Sequence, residues 1–309
     1  MANGSFDPGL AAQLAQLCEL TYVQYLEGLE GGDGSIKPPP GFQQTASFSA
    51  PEIDLTRKSP QLAAALAPQF DVADAAARQA LAAGLRTVFF GFTLQPSPGT
   101  AGGYNVVALR GTQSIQEWIE DAVVVQVPVP LVWYKDGKFQ TAKANLGFVV
   151  IFGFLADQIL RAVNAFANPN LPLYVTGHSL GGALAALASP AINFLSPGYF
   201  GAGVANRLQM YSFAGPRPGD PIFADAYNFF IPATFRVVNL CDVVPILPPK
   251  ALAGYQYAQV GGAGAEWSYL FQSNDVGDNH GILGNYIPAV MAAVETNVRR
   301  RYPNSGMPG

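Results

Sequence analysis

The stretch V-T-G-H-S-L-G-G-A-L-A-A-L-A, residues 175–188, puts one serine between an apolar run and a glycine pair that opens an alanine- and leucine-rich segment. Residues 171–176, L-P-L-Y-V-T, read as the strand before it, and residues 180–188 as the helix after it. G-H-S-L-G thus has the G-x-S-x-G spacing of a nucleophile elbow in the strand–turn–helix setting that motif requires. A serine on so sharp a turn takes strained backbone angles, and Gly177 and Gly181 leave room for strand and helix to close up around it. The helix N-terminus then aims free N–H groups and a positive dipole end at the place where an oxyanion would form. Ser179 is the expected nucleophile.

A serine nucleophile needs a general base, and the chain has only two histidines, His178 and His280. His178 adjoins Ser179, so on a sharp turn its side chain is expected to project away from the hydroxyl and into the packing around the strand. His280, in G-D-N-H-G-I-L-G-N-Y, lies in a polar, glycine-rich loop and is the expected base. The acid that orients it is expected between serine and histidine in chain order. Asp242 follows the strand-like T-F-R-V-V-N-L, which puts it at a strand's carboxyl end, on the edge that carries the elbow. Asp220, in P-R-P-G-D-P, is the rival, in a turn that reads as structural. Asp275 and Asp278 stand too close to His280 in sequence to be easy partners.

Outward from the elbow, β-prone runs fall at 86–94, 104–109, 171–176, 207–213 and 234–240, with helical segments at 145–167 and 180–188 between them. This alternation predicts an α/β fold: a mostly parallel central sheet with helices on both faces. Residues 1–85 read as a helical N-terminal portion packing on that sheet. Within it, Leu10, Leu14, Leu17, Val23 and Leu26 mark a helix over 8–28, residues 31–41 form a stiff loop, and a second helix over 59–83 is divided near Pro68. Asp33 and its neighbours read as a solvated turn rather than a calcium loop. No repeat or linker divides the chain, so 1–309 is expected to be one domain.

Hydrophobic residues make up 50% and charged residues 12%, ample for a large core and for some exposed apolar surface. A net charge of −4 supplies no basic field and argues against nucleic acid as a partner. Cys18 and Cys241 fit no metal or redox spacing and are expected to be buried free thiols. The first residues, M-A-N-G-S-F-D-P-G-L, carry no basic and apolar regions of a secretory signal. Both a cytoplasmic location and secretion stay open. The uncharged run 179–206 is broken by Pro190 and Pro197 and reads as a buried helix and loop, with no transmembrane anchor expected.

Several linked motifs over about 104–282 are similar in content and order to the class 3 lipases, the family of the filamentous-fungal triacylglycerol lipases, which have the α/β-hydrolase fold. They are V-V-A-L-R-G-T-Q-S-I-Q-E-W-I-E-D (106–121), N-L-G-F (145–148), V-T-G-H-S-L-G-G-A-L-A (175–185), F-A-G-P-R-P-G-D-P-I-F-A (213–224), R-V-V-N-L-C-D-V-V-P-I-L-P-P (236–249) and the late His280. The resemblance implies Ser179, Asp242 and His280 as a triad. It implies an oxyanion hole from Thr112 and the N–H of Leu180, and Asp121 as the carboxylate holding the Thr112 hydroxyl. Residues 114–121 correspond to a short lid, in which Ile115, Trp118 and Ile119 recur at i, i+3 and i+4 as one apolar helical face or as ordinary core. The apolar run 123–134 extends the candidate lid region to 114–134, lines an acyl groove, or is a buried strand.

Two departures stand out: Asn145 and Tyr257 occupy positions where the family often has histidine, so local packing is expected to differ there. The implied activity is acyl transfer from a lipid ester, at a lipid–water interface, by a monomer without metal or cofactor. The rivals are a soluble carboxylesterase or phospholipase A1 on the same scaffold, and a non-catalytic lipid-binding module.

Overall fold

Asp7 starts the first helix, α1 (Pro8–Leu29): its carboxylate accepts from Gly9 N (2.8 Å) and Leu10 N (3.2 Å), and Pro8 sits in the first turn. The structure, a computed structural model, describes residues 5–52, 84–100, 102–112, 124–199 and 207–301. The face that α1 buries is made of Ala11, Leu14, Ala15, Cys18 and Thr21. Such small side chains let the helix lie close against the sheet. The wider stripe expected from sequence is only partly used, since Leu26 is 52% exposed.

Seven strands form the central sheet in the order β1 (Phe42–Pro51), β2 (Thr87–Pro96), β3 (Asn105–Leu109), β6 (Leu173–His178), β7 (Leu208–Phe213), β8 (Thr234–Asn239) and β11 (Glu266–Tyr269). The β1–β2 and β2–β3 pairs are antiparallel, and every later neighbour is parallel. The period of two sorts the side chains onto two faces. Leu173, Val175, Leu208 and Met210 pack toward α2 (Leu146–Asn164) and α3 (Leu180–Leu195), joined by α4 (Pro221–Phe230). Tyr211, Phe213, Phe235 and Val237 face α1 and the last helix, α6 (Ile287–Arg301), which follows the short α5 (Val276–His280). Each large apolar side chain so buried contributes about 1.5–3 kcal/mol.

The five strands expected from sequence are present, shifted by one or two residues at their ends. Two departures, at β1 and β11, have physical causes. The N-terminal portion is not helical throughout, because F-Q-Q-T-A-S-F-S-A-P is β1 on the sheet edge. An edge strand half open to water needs few apolar residues, so its pattern is weak. Of the three readings left open for 123–134, the strand is the one found over 126–134: β4 (Gln126–Lys135) pairs with β5 (Lys138–Asn145) in a separate hairpin. Val127, Val129 and Leu131 point inward while Pro128 and Pro130 point out. β11, with only four residues, takes its conformation from pairing with β8. The second helix expected at 59–83 lies outside the described residues.

Helix α3 runs through Pro190 to Leu195, longer than the expected 180–188. Among the described residues α2 is long and apolar enough to cross a membrane, but just over half of it is buried, and it packs on α3 and β1. Cys18 is buried and Cys241 half-buried, and both are free. The Cys18 thiol lies 3.4 Å from Thr176 Oγ1, and burial pushes its pKa up to about 12. A minor hairpin of β9 (Ala251–Leu252) and β10 (Tyr255–Gln256) precedes β11.

Candidate active site

β6 ends at His178 and α3 starts at Leu180, so Ser179 alone turns the chain from strand to helix. Its φ of 58° and ψ of −130° are strained for a residue with a side chain. Backbone contacts on both sides hold that strain in place. A Cβ on Gly177 would run into the Gly181 carbonyl, and one on Gly181 into the Leu109 carbonyl. Ser179 N donates to Phe213 O at 2.9 Å, which anchors the turn to β7. Leu180 opens α3, so its N–H has no acceptor inside the helix.

The R-G-T turn after β3 comes up against the same point. A Cβ built on Gly111 would lie 2.8 Å from Ser179 Cβ. Arg110 clamps this turn from behind, donating through Nε to Phe89 O (3.0 Å) and through Nη1 to Gly111 O (2.7 Å). Its buried guanidinium also lies 4.0 Å from the centre of the Tyr25 ring. Thr112, next in the turn, is half-buried. Asp121, Ile115, Trp118 and Ile119 lie outside the described residues.

Asp242 and His280 meet from β8 and α5. His280 Nδ1 donates to Asp242 Oδ2 at 2.8 Å, and the Asp242 side chain is fully buried. Oδ1 of Asp242 accepts from Val244 N (2.9 Å), and Oδ2 also accepts from the Tyr286 hydroxyl (2.8 Å). An imidazole that gives Nδ1–H to a carboxylate keeps its lone pair on Nε2. That Nε2 and Ser179 Oγ are both buried, and neither has a hydrogen-bond partner among the described residues. In a well-packed interior, two polar atoms left open at one site mark a place kept for chemistry.

His178 is not idle packing. Its Nε2 lies 2.8 Å from the His280 carbonyl, so that nitrogen carries the hydrogen, and Nδ1 accepts from the Tyr22 hydroxyl at 2.8 Å. Burial holds this imidazole well below the usual histidine range; the nearby His280 adds to the effect, and the bond to the His280 carbonyl opposes it. His178 therefore stays neutral and fixes the backbone of His280. The two rings lie 4.6 Å apart. The Tyr22 hydroxyl also sits where a Cβ on Gly111 would go, so one phenol on α1 lies against both the R-G-T turn and the histidine pair.

Tyr286 and Tyr22 are the residues that motif reasoning missed. Tyr286 stands six positions beyond His280, where no spacing rule points to it, and Tyr22 lies in the first helix. The rivals for the acid have structural employment. Asp220 caps α4, accepting from Phe223 N (2.7 Å), and also accepts from Lys143 N (3.1 Å). Asp275 caps α5 (Asp278 N, 3.1 Å), and Asp278 accepts from Ser273 Oγ (2.9 Å). Among the described residues no cluster of His, Cys, Asp and Glu could hold a metal ion.

The two sequence departures prove to be neighbours: Asn145 Nδ2 donates to the Tyr257 hydroxyl at 3.1 Å, which in turn donates to Val124 O at 2.9 Å. Asn145 also caps α2 through Gly147 N (2.9 Å). Within the apolar run, Val129 and Leu131 line a cavity of about 180 Å³ with Phe152, Leu187 and Phe194, and Ser179 is not on its wall.

The family described as "Lipase (class 3)" matches residues 106–252. The matched segment, a little under half of the chain, is similar to the class 3 lipases. Lipase from Rhizomucor miehei is 34% identical over 158 residues, covering 49% of this chain and 40% of that protein. Secreted mono- and diacylglycerol lipase A from Penicillium cyclopium is 33% identical over 145 residues, covering 46% and 42%. The chain thus spans about two fifths of the length of these curated relatives. The solved Rhizomucor miehei triacylglyceride lipase superposes with a TM-score of 0.55 at 20% identity, covering 86% of this chain and 80% of that one. At that identity the likeness establishes the fold: the chain has the mixed, mostly parallel sheet flanked by helices of that lipase.

Proposed function

We propose that the chain is a serine-dependent carboxylic ester hydrolase acting on lipid esters, acylglycerols first among them, through an acyl-enzyme. The observation that carries the reading is the buried His280–Asp242 pair with His280 Nε2 and Ser179 Oγ both unpartnered beside the strained turn. Ser179 attacks the ester carbonyl while His280 Nε2 takes its proton, and Asp242 stabilises the imidazolium. The Leu180 N–H and Thr112 hold the oxyanion. His280 returns the proton to the departing alcohol, then activates water to release the acid. Losing one oxyanion donor would cost about 3–4 kcal/mol of transition-state stabilisation.

The preference for lipid over a soluble ester rests on the surface around the site and on the relatives named as lipases. The loops leaving β8, β11 and α5 carry Leu240 (62% exposed), Leu270 (71%) and Leu283 (64%), with Val243 and Ile246 beside Asp242. These loops are bonded together: Leu240 N donates to Tyr269 O, and Asn239 Nδ2 to Asn279 O. Leu240 and Leu270 follow strands that run parallel to β6, so they share the carboxyl edge with Ser179. An apolar rim there suits a lipid–water interface.

The test is a fluorophosphonate probe followed by rates on tributyrin below and above its solubility. Covalent labelling at Ser179 and a rate jump on emulsion are expected. Labelling without a jump would make the chain a soluble carboxylesterase, and no labelling would leave a lipid-binding module.

A further inference from the structure

A second cavity, of about 460 Å³, lies between β8, β11 and the loop 244–261. Asp242 forms part of its wall, while Ser179 and His280 do not line it. Its chemistry is set by Arg217, Arg236 and Lys250 against one carboxylate that is free to answer them, Glu266. Asp242 is already engaged by His280, Tyr286 and Val244 N. Glu266 pairs with Arg236 at 3.1 Å.

Among the described residues Arg217 has no such partner. It is nine-tenths buried, and its Nη1 donates to the carbonyls of Ile246 and Pro248. Its Nε and Nη2 donors have no partner among the described residues, and they are not sealed away from solvent. Burial works against the charge on both guanidiniums, and Arg217 adds to that on Arg236 while Glu266 offsets it. Three cations therefore face two carboxylates, Asp242 and Glu266, at one cavity, which leaves one positive charge in excess. Water could satisfy the open donors but not the excess charge. A planar guanidinium fork matches a carboxylate or phosphate edge.

We propose that this cavity binds an oxyanion, a carboxylate or phosphate group, through Arg217 and Arg236, with Lys250 at its mouth. Two sources share that chemistry: the fatty acid freed by ester hydrolysis and the phosphate of a lipid headgroup. The binding itself does not depend on the proposed hydrolysis, although the source of the anion does.

Calorimetry on the full chain with inorganic phosphate, glycerol 3-phosphate and octanoate tests it. Saturable one-to-one binding is expected, weakened about tenfold or more by Arg236→Gln and a few-fold by Lys250→Gln. Arg236→Lys should recover part of the loss. Arg217 also holds the 246–248 turn, so Arg236 variants, checked by thermal melting, carry the test if Arg217→Gln does not fold. Octanoate binding tighter than both phosphates assigns the site to product; the reverse order assigns it to a headgroup. No saturable heat up to about 20 mM anion, or binding that Arg236→Gln leaves intact, overturns the proposal. Ser179→Ala should bind the anion as the parent does. If that variant kept its esterase activity the proposed function would fall while the anion site stood.

Discussion

Ser179 and the His280–Asp242 pair meet at one edge of the sheet, yet different kinds of contact hold them. Around Ser179, backbone meets backbone: the carbonyls of Gly181 and Leu109 fill the space where side chains on Gly177 and Gly181 would go. Around the pair, side chains do the holding. Asn239 donates to Asn279 O (2.9 Å) and accepts from Phe271 N (3.0 Å). Asn285 donates to Asn279 O (2.7 Å) and accepts from the Tyr269 hydroxyl (2.8 Å). Backbone contacts cannot adapt to an added atom, whereas a hydrogen-bonded network can lose one member and keep the rest. The nucleophile's side should fail all at once and the acid–base side by degrees.

The largest effect tests the chemistry common to both sides. Ser179→Ala should lower esterase activity by about 10⁴ or more with the fold kept, since Ala removes only the hydroxyl. A variant hydrolysing p-nitrophenyl butyrate near the parent rate would end the assignment. Next comes the backbone contrast. Gly181→Ala should cost about 3 kcal/mol or more and give little folded protein, because Leu109 O has nowhere to move. Normal melting would show that the turn can relax after all.

On the other side, Asn239→Ala should cost about 2–3 kcal/mol by leaving the Phe271 and Cys241 N–H groups without their acceptor. Activity should fall but persist; complete loss would mean that this side is as unforgiving as the elbow. Tyr286→Phe removes one of three hydrogen bonds to Asp242 and should lower kcat about tenfold with little change in KM.

The smallest effect is one of pH. His178 has a folded-state pKa below its unfolded one, so on acidification the unfolded chain binds the proton first. Stability should hold above about pH 6.5 and fall below it by up to about 1.4 kcal/mol per pH unit, until the folded value is reached. Urea melts of His178→Gln should give a flatter slope. An unchanged slope would mean that His178 charges in place without penalty.

The same contrast explains what was legible in the sequence. The elbow is a backbone object, and backbone demands appear as glycines at fixed spacing, so Ser179, its strand and its helix could be read directly. Asp242 and His280 could be read because only two histidines exist and the order along the chain is constrained. Tyr22, Tyr286 and the asparagines act across the fold through side chains, and nothing local marks a tyrosine that will end up beside a carboxylate. β1 was not legible and the strand at 126–135 stayed one of three readings for a related reason: their partners, more than their own composition, make them strands.

One feature of the site sets a rate. Ser179 Oγ and His280 Nε2 are both shut away from solvent in this conformation. A reagent reaches the hydroxyl only when the protein opens, so with a fast enough probe the labelling rate stops rising with reagent concentration and levels at the opening frequency. That plateau would serve as a clock for the gate, readable without any substrate.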